Sequence, residues 1–227
     1  MISELNKSHN NLVEEITEEL FEIHNKIEFL VENKIKGFKS IWLDGSDVEL
    51  FIELSFCILT PQSKAIEAWK AICNLVESKD LFKGNSNRIS KELNRVRFKN
   101  NKAKYLLNAR VMFSGPQGFL IRELLNNAGD IFEKRKWLAE NVIGIGYKEA
   151  SHFLRNIGFV EDLAILDRHI LKNMKHFGLI PEIPKSITPR IYIDLENKMK
   201  EFSSQINIPL GYLDFIFWYK ETGVIFK

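Results

Sequence analysis

VIGIGYKEASHFLRNIG, residues 142–158, sets two glycines one residue apart between stretches of helical composition. With no Cβ at Gly144 or Gly146 the backbone can turn tightly, so the segment predicts two helices joined by a short hairpin. Amides at these glycines and at the start of the following helix can point at a phosphate, because the first turn of a helix leaves its N–H groups without intrahelical partners. An ordinary turn between helices would carry the same pattern. Lys148 falls in the first turn of the second helix, and Asp167, nineteen residues on in LAILDRHILKNM, stands at the start of the next. A helix N-terminus and desolvation both disfavour a protonated lysine, which leaves its amine able to act as a nucleophile. A carboxylate at a second helix start can face the same cleft, although an Asp there also serves simply as an N-cap.

Outward from the hairpin, the spacing of apolar residues predicts helices at about 131–140, capped by Asp130, and at 118–127, 99–113 and 89–96, with Gly115 and Pro116 dividing two of them. QSKAIEAWKAICNLVES is helical through Ile66, Trp69, Ile72 and Leu75, and IWLDGSDVELFIELSFCILT turns at 44–46 and enters a buried helix capped at Ser46 or Asp47. Thr60, Pro61 and Gln62 form a short break between these two helices, from which a side chain can be presented. Leu12, Ile16, Leu20, Ile23, Ile27, Leu30 and Ile35 mark a long amphipathic helix over 11–36, ending near Gly37. Beyond the hairpin, Gly158 closes a helix, an extended segment runs to Leu166, Thr188 and Pro189 begin a long helix, and a final one spans about Pro209 to Thr222. The fold class is all-α, with no strand order and no repeat. Two helical subdomains are expected, a barrel over 61–159 that bears the hairpin and a bundle of 1–60 with 160–227, with the active-site cleft between them.

The chain has 227 residues, 45% hydrophobic and 27% charged, enough for a real core. Cys57 and Cys73 are too few for a four-thiolate zinc or iron–sulfur site and read as buried free thiols. The polar, acidic N-terminus lacks a secretory pattern and no apolar stretch approaches bilayer length, so an intracellular location in the cytoplasm or nucleoid is expected, with no membrane partner. A net charge of +2 argues little, but nine Lys or Arg between Lys83 and Arg110 face a single acid, Glu92. That run can follow a phosphate backbone or form a solvated face.

VIGIGYKEA followed by AILDRHI resembles the signature of the helix-hairpin-helix DNA glycosylase superfamily, and the resemblance extends over about 48–222, including TPQSKAIEAWKA at the entry to the barrel. It implies that Lys148 is the catalytic lysine of the bifunctional members and Asp167 their catalytic aspartate. The implied chemistry is extrusion of a damaged nucleotide, attack of Lys148 on the sugar C1′ as the base departs, and β-elimination from the resulting Schiff base. Asp167 stabilises positive charge on the sugar. The resemblance further places His169 near the phosphates of the flipped nucleotide and Gln62 in the gap left in the duplex. It also implies a monovalent cation on the backbone carbonyls of Glu140, Val142 and Ile145. No cofactor is needed, and the partner is double-stranded DNA containing an oxidised base, bound by a monomer.

The absence of a four-cysteine loop after the last helix, together with RFKNNKAKYL over 97–106 and the terminal Lys227, is most similar to the archaeal-type class of 8-oxoguanine DNA glycosylase/AP lyase. Phe98 and Trp218 are candidates to stack on the purine, although aromatics at helical spacing also build cores. Lys227, the last residue, is implied to close over the base. Asp214, one turn before Trp218, orients polar groups of the pocket or faces solvent. The rival readings are a glycosylase for an oxidised pyrimidine or alkylated purine, and a noncatalytic hairpin module that grips phosphates.

Overall fold

A computed structural model describes the backbone of residues 2–227 and the side chains of residues 18–227. The elements are α1 (Ile2–Leu43), α2 (Asp47–Leu59), α3 (Ala65–Glu77), α4 (Asp80–Lys83), α5 (Ser86–Glu92), α6 (Lys99–Phe113), β1 (Ser114–Gly115), β2 (Gly118–Phe119), α7 (Ile121–Asn127), α8 (Ile131–Asn141), α9 (Tyr147–Asn156), α10 (Arg168–His176), α11 (Pro189–Gln205) and α12 (Leu210–Thr222). The molecule is all-α apart from the β1–β2 ladder, and α8, the glycine turn and α9 form the helix-hairpin-helix.

The chain divides into two compact units. One contains the chain up to Ile35 together with Glu161–Phe226, and the other Lys36–Val160 with Lys227. In the first, α1 buries Leu20, Ile27 and Val31, α10 buries Met174, and α12 buries Leu213, Ile216 and Phe217. Phe177 stacks on Phe217 and Phe202, and α10 and α11 both pack on α12.

The second unit is organised around α2, which is buried from Leu50 to Leu59 except at Ile52. Its start is fixed locally by a capping box: Ser46 N–H donates to Glu49 Oε2 at 2.7 Å and Glu49 N–H to Ser46 Oγ at 3.4 Å. Arg122 of α7 then clamps the turn before it, donating to the carbonyls of Trp42 and Gly45, while its own amide donates to Asp47. Helices α3, α6, α7 and α9 all pack against α2.

Several boundaries differ from expectation. Gly37 does not end α1, which continues to Leu43. A mid-helix glycine costs about 1 kcal/mol, less than the roughly 2 kcal/mol from burying an aromatic side chain such as Phe38, and Trp42 packs on Phe159 at 5.0 Å. On the same helix Leu30 is 54% exposed, so it lies off the buried stripe; Leu12 and Ile16 lie outside the residues with described side chains. Helix α5 begins at Ser86 because the Asn85 side chain caps it through Arg88 N at 3.0 Å. The helix expected from 118 starts only at Ile121, since Gly118 takes φ +136° and pairs with Gly115 across a two-residue turn at Pro116–Gln117. Cys57 is buried, but Cys73 is exposed, because it follows Ile72 on the outer face of α3.

Candidate active site

In the hairpin unit, α8 is set by Asp130, which accepts from Phe132 N and Glu133 N at 2.8 and 2.9 Å, and it ends in the turn at Val142–Gly146. Gly144 has φ +92°, and a Cβ there would stand 2.6 Å from the Tyr105 ring, so only glycine lets the turn close on α6. The Ile145 amide donates to the Val142 carbonyl at 3.1 Å, and the Gly146 amide donates to Glu149 Oε2 at 3.3 Å. The Gly146 N–H thus serves the start of α9. Lys148, the second residue of α9, is 24% exposed at its side chain, with its ammonium 3.7 Å from Glu149 Oε1.

Gln62, with φ 54°, between α2 and α3, and Phe98, with φ 59°, before α6, both have left-handed backbone and exposed side chains, as does Lys79 (φ 62°) before α4. Phe98 is 52% exposed, with the Arg97 guanidinium over its ring. The basic run of 83–110 is partly turned inward. Arg110 donates to the carbonyls of Leu81 and Gly84, whereas Arg88 and Arg95 stay exposed while pairing with Asp80 and Glu67. Lys102 is only 3% exposed. Burial lowers its ammonium to about 8, with the Glu149 carboxylate opposing and the Lys148 ammonium adding to the effect.

Lys227 also lies in this unit. Its ammonium pairs with the buried Glu53 carboxylate and stands 3.3 Å from the centre of the Trp69 ring. The nearby His152 imidazole, stacked edgewise on Phe56, is held well below its usual range by burial and by the Arg155 guanidinium.

In the other unit, Asp167 caps α10: its Oδ1 accepts from His169 N at 2.8 Å and Ile170 N at 2.9 Å. The extended segment that delivers it is buried, so its backbone groups need internal partners. Ala164 N donates to Glu196 Oε1 at 2.8 Å, Ile165 N to Asp214 Oδ2 at 3.3 Å, and Leu166 N to the Tyr192 hydroxyl at 3.3 Å. The Tyr192 hydroxyl in turn donates to Ala164 O at 2.6 Å. Asp214 is therefore buried under the segment, and the solvent-facing alternative does not hold. Glu196 and Tyr192 escaped the sequence reading, whose only available signal was a buried extended segment lacking a sheet. His169 packs edge-on against Trp218 at 5.0 Å, with Nδ1 3.9 Å from Glu221 Oε2. The Glu221 carboxylate is lowered chiefly by its bond to Lys172. The Trp218 indole nitrogen is buried without a hydrogen-bond partner.

Among the described residues no group of three His, Cys, Asp or Glu side chains is arranged to hold a metal ion, and no helix is long and apolar enough to cross a membrane. The Val142 carbonyl has one lone pair engaged by Ile145, and a carbonyl oxygen offers two.

A family model described as 8-oxoguanine DNA glycosylase matches residues 31–208. A protein of Fusobacterium nucleatum named 8-oxoguanine DNA glycosylase/AP lyase is 44% identical over 209 residues, which span 92% of this chain and 96% of the relative. The crystal structure of the 8-oxoguanine DNA glycosylase of Thermotoga maritima matches with a TM-score of 0.83 at 34% identity, covering 95% of this chain and 100% of that one. The Methanocaldococcus jannaschii 8-oxoguanine glycosylase/lyase, in complex with a 15mer DNA containing 8-oxoguanine, matches with a TM-score of 0.84 at 32% identity, covering 93% and 99%.

Proposed function

The chain belongs to the 8-oxoguanine DNA glycosylase family, and on that premise we propose that it removes 8-oxoguanine from duplex DNA and then opens the strand as an AP lyase. The observation that carries the reading is the placing of Lys148, a partly exposed lysine in the first turn of α9, directly beyond a turn that only Gly144 can make.

The chemistry needs two groups acting on one deoxyribose. The Lys148 amine forms a bond to C1′ while the glycosidic bond breaks, its electron pair leaving with the base, which takes up a proton. Opening of the sugar ring gives an imine between Lys148 and C1′. Loss of a C2′ proton then breaks the C3′–O bond and releases the 3′ phosphate. Asp167 stabilises positive charge on the sugar as the base leaves and takes part in activating the amine. Its two amide bonds to α10 support this role by fixing the carboxylate.

Phe98 and Trp218 supply apolar faces for the purine, Asp214 supports the pocket through the segment leading to Asp167, and Lys227 closes over the base. Gln62 fills the gap left by the extruded nucleotide. Gly144, Gly146 and His169 lie along the phosphates, and the carbonyls of Glu140, Val142 and Ile145 would hold a monovalent cation that ties a phosphate to the hairpin. The enzyme works without a cofactor, as a monomer, inside the cell beside the DNA it repairs.

Borohydride reduction tests the reading directly, because it converts the imine into a permanent crosslink. The wild type should trap on an 8-oxoguanine duplex in preference to duplexes bearing an oxidised pyrimidine or alkylated purine, and Lys148→Gln should not trap. A wild type that traps only on another lesion, or an undiminished adduct in Lys148→Gln, would overturn it.

A further inference from the structure

Gln62 and Phe98 hold left-handed backbone, which is costly for a residue with a Cβ and persists only where the surroundings over-determine it. Both stand in the loops flanking one buried lysine. Lys102 has three N–H donors on its ammonium, and each finds an acceptor in the Gln62 loop: Leu59 O at 2.8 Å, Pro61 O at 2.6 Å and Ser63 Oγ at 3.0 Å. Leu59 is the last residue of α2, so the charge also meets the negative end of that helix. Ser63 Oγ is shared, since it accepts the Arg97 amide at 3.0 Å, one residue from Phe98. The backbone of Lys102 completes the tie by donating to the Phe98 carbonyl at 3.0 Å. One residue thus fixes the Gln62 loop with its side chain and the Phe98 turn with its backbone.

We propose that Lys102 is a positioning residue for base extrusion, binding the Gln62 loop to the Phe98 turn so that the side chain that fills the gap and the one that faces the extruded purine are held in fixed register. This rests on the reading that Gln62 and Phe98 contact lesion DNA. A hydrophobic residue in place of Lys102 would fill its buried volume but take one donor from each of Leu59 O, Pro61 O and Ser63 Oγ, and the loop would lose its register. The lysine assigned to bond with C1′ is Lys148, which the substitution leaves in place.

The test compares two substrates. An 8-oxoguanine duplex requires extrusion, whereas a single-stranded oligonucleotide with a preformed abasic site offers its sugar with no base to displace. Lys102→Met should lose roughly tenfold or more in kcat/KM for base release from the duplex. Its rate of borohydride trapping on the single-stranded abasic site should stay within about twofold of the wild type. Ser63→Ala, which removes only the shared acceptor, should shift the duplex rate alone by a smaller factor, and it keeps the test readable if the methionine variant does not fold. Equal losses on both substrates, or no loss on the duplex, would overturn the proposal. A wild type that releases no 8-oxoguanine from the duplex would instead refute the functional reading on which it rests.

Discussion

The Lys227 ammonium stands 3.3 Å from the centre of the Trp69 ring and pairs with Glu53. The Glu53 carboxylate, 4% exposed, keeps the Asn156 amide, at 3.1 Å, once Lys227 is removed. A buried charge stripped of its counter-ion is strongly destabilising.

Lys227→Ala should therefore lower the unfolding free energy by about 3 kcal/mol, measured by urea denaturation. Adding Glu53→Gln should recover much of that loss, because the neutral amide no longer needs an ion partner. A Lys227→Ala protein as stable as the wild type would show that the pair contributes nothing to the fold.

Gly144→Ala tests the hairpin. Its φ of +92° is one that residues with a Cβ rarely adopt, and the new methyl would meet the rigid Tyr105 ring at 2.6 Å. The strain should cost about 1–3 kcal/mol, and weaker binding to duplex DNA should accompany it if the turn holds a phosphate. Gly178→Ala is the control: it shares the positive φ, +74°, but has nothing within 4 Å of the added Cβ. It should lose stability to a lesser degree and leave DNA binding unchanged in a filter-binding titration.

What the sequence made legible was local. The glycine turn, the Ser46 and Asp130 capping boxes and the Thr188–Pro189 helix start each depend on residues within four positions, and each stands where the spacing puts it. Lys148 and Asp167 were singled out by helix-start chemistry and by resemblance. Lys102 was not, because in the sequence it is one more cation in a basic run, and its acceptors lie about 40 positions away in Leu59–Ser63. Asp214, Glu196 and Tyr192 were equally hidden or only half seen, since they satisfy a buried extended segment across 26 to 49 positions of chain. Gly37 misled for the opposite reason, a local breaker signal outweighed by burial of Phe38.

Asp167→Asn separates the structural from the chemical role of that carboxylate. Asn caps helices about as well as Asp and can still accept from His169 N and Ile170 N through its amide oxygen. Stability should thus change by less than about 1 kcal/mol. Base excision should fall by roughly a hundredfold or more, because a neutral amide cannot balance positive charge on the sugar. Single-turnover excision beside a urea melt measures both. A fall in activity matched by loss of the fold would assign Asp167 to capping alone.

The Lys102 ammonium titrates at about 8 in the folded protein against a reference of 10.5. Below pH 8 both the folded and the unfolded chain hold the proton, and the folded protein bears the full cost of the buried charge. Between pH 8 and 10.5 the unfolded chain binds more protons than the folded one, so this residue's contribution to stability rises with pH. The rise should amount to about 2 to 3 kcal/mol over that window. Lys102→Met has no such proton to lose. The wild type should therefore gain on the variant as pH rises from 7.5 to 10.5, while the other titrating groups cancel in the difference between the two unfolding curves. Parallel curves across that range would mean that Lys102 titrates as an exposed lysine does, and that its three carbonyl and hydroxyl partners do not hold it in the dry setting described.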